Sequence, residues 1–144
     1  MYGSIVELED RITAGILAKF VTEQGQDRLR VLTAYLERAS AHVDAVLSAR
    51  YATPVSAAAS QPLLSDLALT FALWQIAADR GVFAKEIPAG FQKPYEEATS
   101  LLAKLGAGEL ALSGAETPAG ASAGLKVRSN VPVFGDNSPG MEFF

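Results

Sequence analysis

Between Pro62 and Arg80 the chain sets large apolar side chains on every side of a helix: Leu63, Leu64, Leu67, Leu69, Phe71, Leu73, Trp74 and Ile76. A helix without a polar face has to be enclosed, by protein or by lipid. Asp66, Thr70 and Gln75 interrupt the run well short of the roughly 18 apolar residues that a membrane span needs. The segment therefore predicts a core helix encased by the rest of the chain, in which a charge at Leu69, Phe71 or Leu73 prevents folding. Ser60 stands where an N-cap is needed. Pro62 falls in the first turn, where its missing donor costs nothing.

The neighbours that could enclose it are legible on either side. Ser4 and Glu7 form a capping box, and Ile5, Leu8, Ile12 and Ile16 carry an apolar face toward Phe20, with Gly15 marking a break. A second helix is expected from about Gln26 or Asp27 to Tyr51, roughly 35 to 40 Å long at 1.5 Å per residue. It is the spine of the predicted fold. Leu29, Leu32, Leu36, Ala39, Val43 and Val46 form one seam at helical spacing, and Arg50 is the next position along it. There a guanidinium can meet unpaired carbonyls while its stem packs on apolar neighbours, so Arg50→Ala is expected to cost about 1 to 3 kcal/mol. The opposite face, with Arg30, Glu37, Ala41, Asp44 and Ser48, reads as solvated. Tyr51 reads as a core residue whose hydroxyl reaches an edge, and Pro54 forces the chain out of the helix. A last helix is expected to open at Pro94, to bury Tyr95, Ala98, Leu101, Leu102 and Leu105, and to stop at Gly106 and Gly108.

After Leu112 the composition changes. Ser113 to Gly124 holds no large apolar side chain, which reads as a linker. Beyond it come Val131, Val133 and Phe134, then Met141, Phe143 and Phe144, apolar enough to act as docking points on an extended arm. The predicted fold is thus mainly α: a compact bundle of about four helices with one long spine, over residues 1–112, followed by a linker and docking arm with room for short strand character, over residues 113–144.

Chemistry is sparse. The chain has no cysteine and a single histidine, His42, which lies beside the apolar seam with no nucleophile or acid set around it in a recognisable motif. No metal-ligand spacing and no phosphate loop is present, so neither an enzyme nor a bound cofactor is expected. No signal peptide is expected at Met1-Tyr2-Gly3-Ser4. Twelve Lys and Arg against sixteen Asp and Glu leave a net charge of −4. That balance argues against a protein whose task is to grip phosphates. A small helical DNA-binding regulator is the alternative from another class, and it would need an exposed basic helix face that the singly scattered cations do not provide.

Several features together, Asp44 and Leu47 followed by Arg50-Tyr51 and Pro54-Val55, the Met1-Tyr2 opening, the Pro62-Leu63-Leu64 helix start, and the series Tyr95, Ala98, Leu102 and Gly108, resemble a family of small proteins from Mu-like phages and prophages encoded among the head and tail assembly genes. The resemblance covers roughly the first three quarters of the chain. It implies a head-to-tail adaptor in the virion, assembled from the host cytoplasm: a closed ring of about twelve copies between the portal protein and a tail-side connector or terminator, with DNA passing through as cargo. The family pattern carries an acid on the third helix near Thr70. Here Asp66, one turn earlier, is the acid available to Arg50. The residues that would carry structural or interaction roles are Asp44, Arg50, Tyr51 and Pro54 in the body and Val131, Val133, Phe134, Met141, Phe143 and Phe144 in the arm.

Overall fold

The structure, a computed structural model, describes residues 1–115. Within them four helices form and no strand: α1 (Ile5–Thr13), α2 (Gly25–Leu47), α3 (Gln61–Asp79) and α4 (Ala89–Ala107), with short 3-10 stretches at Ile16–Lys19 and Ala58–Ser60. This is the mainly α bundle around a long spine that the sequence predicts. The arm residues from Val131 to Phe144, and any strand among them, lie outside the described residues. No described helix is long and apolar enough to cross a membrane.

α3 is the centre, with α1, α2 and α4 all packed on it. Leu64, Leu67, Leu69, Phe71 and Ile76 are buried together with Ala68, Ala72 and Ala77, whose small side chains let the neighbours come close. Enclosure is not complete. Leu63, Leu73 and Trp74 are only half-buried, and at Leu73 and Trp74 the three neighbours leave a strip uncovered between the end of α1 and the start of α4. The expectation for Leu73 is corrected accordingly.

α2 buries Leu32, Leu36, Ala39, Ser40, Val43 and Leu47, while Leu29 is exposed. The sequence seam stepped at an average of 3.5 residues. A straight helix turns at 3.6, drifting about 20° per heptad, so the buried face continues through Leu47 and leaves Arg50 behind. The helix also ends early. Ser48 donates its hydroxyl to the Ala45 carbonyl, and the amides of Arg50 and Tyr51 both turn back to the Leu47 carbonyl.

Arg50 is exposed and forms no ion pair among the described residues; Asp66 pairs instead with Arg11 on α1, at 2.8 Å. Arg50→Ala is therefore expected to leave a denaturant melt within about 0.5 kcal/mol of wild type, the range of an ordinary surface change. A loss above about 1 kcal/mol would restore the seam-end role.

Half-buried charge pairs tie the termini of the bundle. Arg28 on α2 binds Glu9 on α1 through two guanidinium nitrogens and also donates to the Val21 and Glu23 carbonyls. Arg80, just past α3, binds Glu23 and the Phe20 carbonyl. Both arginines thus stitch the 20–24 turn to helices that start or end beside it.

α4 begins at Ala89, with Pro88 as its cap and Pro94 inside it, five residues earlier than the start at Pro94 that the sequence suggested. The amides of Phe91 and Gln92 bond to the Pro88 carbonyl, and the Phe91 ring packs edge-on against Phe83. That packing outweighs the bond Pro94 cannot make. At the other end the helix passes through Gly106 and is capped by Gly108 in the left-handed region at φ 85°.

Candidate assembly surface

Two ties at the end of α2 collect most of the body residues that the sequence singles out. The first is centred on Tyr2, which is buried. Its amide donates to Ser40 Oγ at 2.9 Å; its hydroxyl donates to Asp44 Oδ1 and accepts from the Val55 amide at 2.8 Å. One side chain therefore holds the N-terminus, the last turns of α2 and the strap beyond them. Asp44, read as part of a solvated face, is half-buried beneath this contact. Pro54, exposed and joined to Thr53 by a cis peptide bond, delivers Val55 to the Tyr2 hydroxyl.

The second tie is centred on Tyr51, buried as expected, whose hydroxyl accepts from the Leu112 amide at 3.1 Å. Leu112 itself is buried. One residue later the Ser113 carbonyl accepts from Ser60 Oγ at 2.8 Å. Ser60 makes no capping bond to α3; its buried hydroxyl is committed to the segment that follows α4. Body contacts thus continue past residue 112 to at least Ala115, which packs against the core. Gln61 secures the same strap through the Val55 and Ala57 carbonyls. Arg50 lies at the edge of this region with its guanidinium over Gly108, where an added Cβ would collide with Cζ.

The roles of Tyr2, Ser60 and Leu112 were not legible in the sequence as functional ones. Their signals were the Met1-Tyr2 opening within the family resemblance, a serine explained by capping logic, and a leucine at the edge of a small-residue linker.

Burial and the bond to Asp44 push the Tyr2 phenol from its ordinary 10.0 up to about 12. A folded-state value above the unfolded one means that the folded form holds the proton longer. The stabilisation is complete below pH 10 and is lost as pH rises toward 12. Tyr2→Phe is expected to lose about 1 to 3 kcal/mol at neutral pH, because the Val55 amide is left without its acceptor, and to show a flatter stability profile between pH 10 and 12 than wild type. Chemical melts at stepped pH measure both. On the acid side the hydrogen bonds from Arg28 to Glu9 and from Arg38 to Asp79 hold those carboxyls below their usual range, so their contribution is lost as pH falls through that lower range.

On another side of the body, the strip that α3 leaves open forms a groove with a volume of about 380 Å3. Ile16, Leu17, Leu73, Trp74, Phe91 and Pro94 form its apolar walls, and Arg11 stands at its rim. Ile16 is 48% exposed. Behind the groove the aromatic rings are layered: Trp74 stacks on Tyr95 at 3.9 Å between centroids, and Phe83 packs on Trp74. His42 is exposed and sits edge-on to Phe71 at 5.0 Å. Among the described residues no group of three His, Asp or Glu side chains is placed to hold a metal ion.

No curated protein and no solved structure matches the chain. A family profile described as Bacteriophage Mu, Gp36 matches residues 2–130, a span that takes in Tyr2, all four helices, both ties at the end of α2 and the linker after Leu112. With nearly the whole chain inside that match, the protein belongs to the bacteriophage Mu Gp36 family.

Proposed function

We propose that this phage protein is a structural head-tail connector: a ring of like copies between the portal vertex and the tail, through which DNA passes. Its partners in this reading are further copies of itself, the portal protein on one side and a tail-side connector or terminator on the other. Its place is the head-tail junction of the virion, reached from the host cytoplasm during assembly. It acts by binding and positioning, with no catalytic step and no cofactor.

The observation that carries the reading is the way the chain leaves the body. Tyr51 and Ser60, both buried, bind the backbone at Leu112 and Ser113, so the segment that follows starts from a fixed point on a packed helical domain. An anchored root lets an arm carry force and direction to a neighbour, which is what a closed ring of heterologous contacts requires. The charge pattern supports the same reading over a DNA-binding regulator. Of the six described arginines, Arg11, Arg28, Arg30, Arg38 and Arg80 are in ion pairs with carboxylates, and the described lysines, Lys19, Lys85, Lys93 and Lys104, are scattered singly along the chain, a poor pattern for gripping phosphates.

The test is a phage genome from which this protein is deleted. Filled heads and finished tails should accumulate unjoined, and adding the purified protein to the lysate should join them. Joined particles in its absence, or heads that never fill, would overturn the connector role. Retention on nonspecific DNA at low salt would instead favour the regulator.

A further inference from the structure

The apolar groove between the end of α1, α3 and the start of α4 has walls that a folded chain ordinarily covers. We propose that it is the receptor for the tip of a neighbouring copy's arm, Met141 to Phe144, with Met141 and Phe143 inserted between Ile16, Trp74 and Phe91. The inference rests on the ring reading above and names the contact that would close the ring.

Four observations carry it. The groove is large enough to take side chains, since its volume of about 380 Å3 far exceeds the roughly 30 Å3 share of one water. Its wall is aromatic, and thioether and ring side chains are those that gain most from such a wall. In an extended segment residues two apart face the same way, so Met141 and Phe143 can enter together while the charged Glu142 between them faces away from the apolar wall. Val131 and Val133 offer less surface and no ring to that wall.

Geometry supplies the fourth. The arm is rooted beside Ala57 and Ser60, at the start of α3, whereas the groove is formed by Thr70, Leu73 and Trp74, roughly 14 to 20 Å further along the same helix at 1.5 Å per residue. Root and receptor are different patches of one surface. That is the condition for a head-to-tail contact that repeats around a ring. The stretch from residue 116 to residue 140 spans at most about 80 Å when extended, enough to reach the next copy.

The experiment uses full-length chains and the protein's single tryptophan, Trp74, which lies in the groove and reports its filling through its emission. Ile16→Glu spoils the receptor at an exposed position that the fold does not need, and Phe143→Ser spoils the tip. Mass by light scattering and Trp74 emission are followed for wild type, each variant, and the two variants mixed in equal amounts. Wild type should show a blue shift that deepens with concentration as mass rises. Each variant alone should stay monomeric without the shift. The mixture should form dimers and recover about half of it, because one intact tip meets one intact receptor. Phe134→Ser should behave as wild type.

If both variants assemble as wild type does, docking in this groove is refuted while the connector reading stands. If wild type shows the shift and grows into open chains that never close, docking holds and the ring fails. A blue shift in wild type that is independent of concentration and lost in Phe143→Ser means that the tip folds back on its own copy, and the neighbour is wrong. Loss of assembly in Phe134→Ser with Phe143→Ser unaffected assigns the wrong tip and overturns the proposal. A Trp74 emission that never responds to any arm substitution does the same.

Discussion

Leu69→Asp is expected to abolish cooperative folding. Leu69 is 1% exposed, in the heart of α3, and Arg11, which lines the same pocket, is already paired with Asp66. A carboxylate there must either stay charged without a partner, at a cost of several kcal/mol, or be protonated at a similar penalty at neutral pH. Either loss is added to the vanished packing of a buried leucine, itself about 2 to 5 kcal/mol. The sum rivals the entire stability of about 5 to 15 kcal/mol that a domain of this kind has to lose. Phe71→Asp should behave in the same way, since its ring is buried edge-on between His42 and Tyr95. Leu73→Asp should not: half-buried on the groove, it can turn a carboxylate to water, and a cooperative melt with a lowered midpoint is expected. Circular dichroism melts of the three variants separate these outcomes. Three equal failures would mean that α3 is enclosed on every side and that the groove is not open.

The second large effect is expected at Gly106. α4 crosses α2 so closely that a Cβ at this position would stand 2.7 Å from Val46 Cγ1 and 3.2 Å from the Val46 carbonyl oxygen. Alanine in a helix is ordinarily about 1 kcal/mol better than glycine, yet here it overpacks the crossing, at a typical cost of about 1 to 3 kcal/mol. A net loss is expected for Gly106→Ala and a loss above about 3 kcal/mol for Gly106→Leu, which cannot be seated without moving α4 off α2. Val46→Ala removes the nearer contact and leaves the carbonyl one, so it should recover part of the Gly106→Ala loss. A double-mutant cycle reads this coupling directly. If Gly106→Ala stabilises the protein, the helices are further apart than this account requires. The crossing also sets where Leu112 arrives at Tyr51, so Gly106→Leu should disturb assembly even if some fold survives.

How much of this was written in the sequence differs from place to place, for physical reasons. The α3 core was legible because a run of apolar residues on all faces has only one soluble solution, enclosure by protein. The Ser4 and Glu7 capping box was legible because it is local: both of its bonds form within four residues. Arg50 was drawn onto the buried seam because a 3.5-residue step, harmless over two turns, accumulates error over the length of α2 and chooses Val46 and Arg50 where the structure buries Leu47. The start of α4 was misplaced because Pro94 is a strong local signal, and it was outweighed by the packing of Phe91 on Phe83, which no local pattern contains. The two ties at the end of α2 were hidden for a third reason. Tyr2 meets Asp44 and Val55, and Tyr51 meets Leu112, across more than 40 residues of chain, and a hydroxyl reveals nothing in sequence about which distant amide it will hold.

In the proposed connector a folded helical body is joined to its neighbours by an arm anchored at Leu112 and Ser113, and the most direct measurement compares the full chain with a chain ending at Ala115. Both are purified, melted by circular dichroism and weighed by light scattering, alone and with the portal protein. The two melts should agree, because all four helices and both ties at the end of α2 are complete within residues 1–115, while the full chain forms a closed ring on the portal and the shortened chain stays monomeric. A shortened chain that forms the same ring would show that the body alone makes the joint, and one that fails to fold would show that the arm belongs to the core.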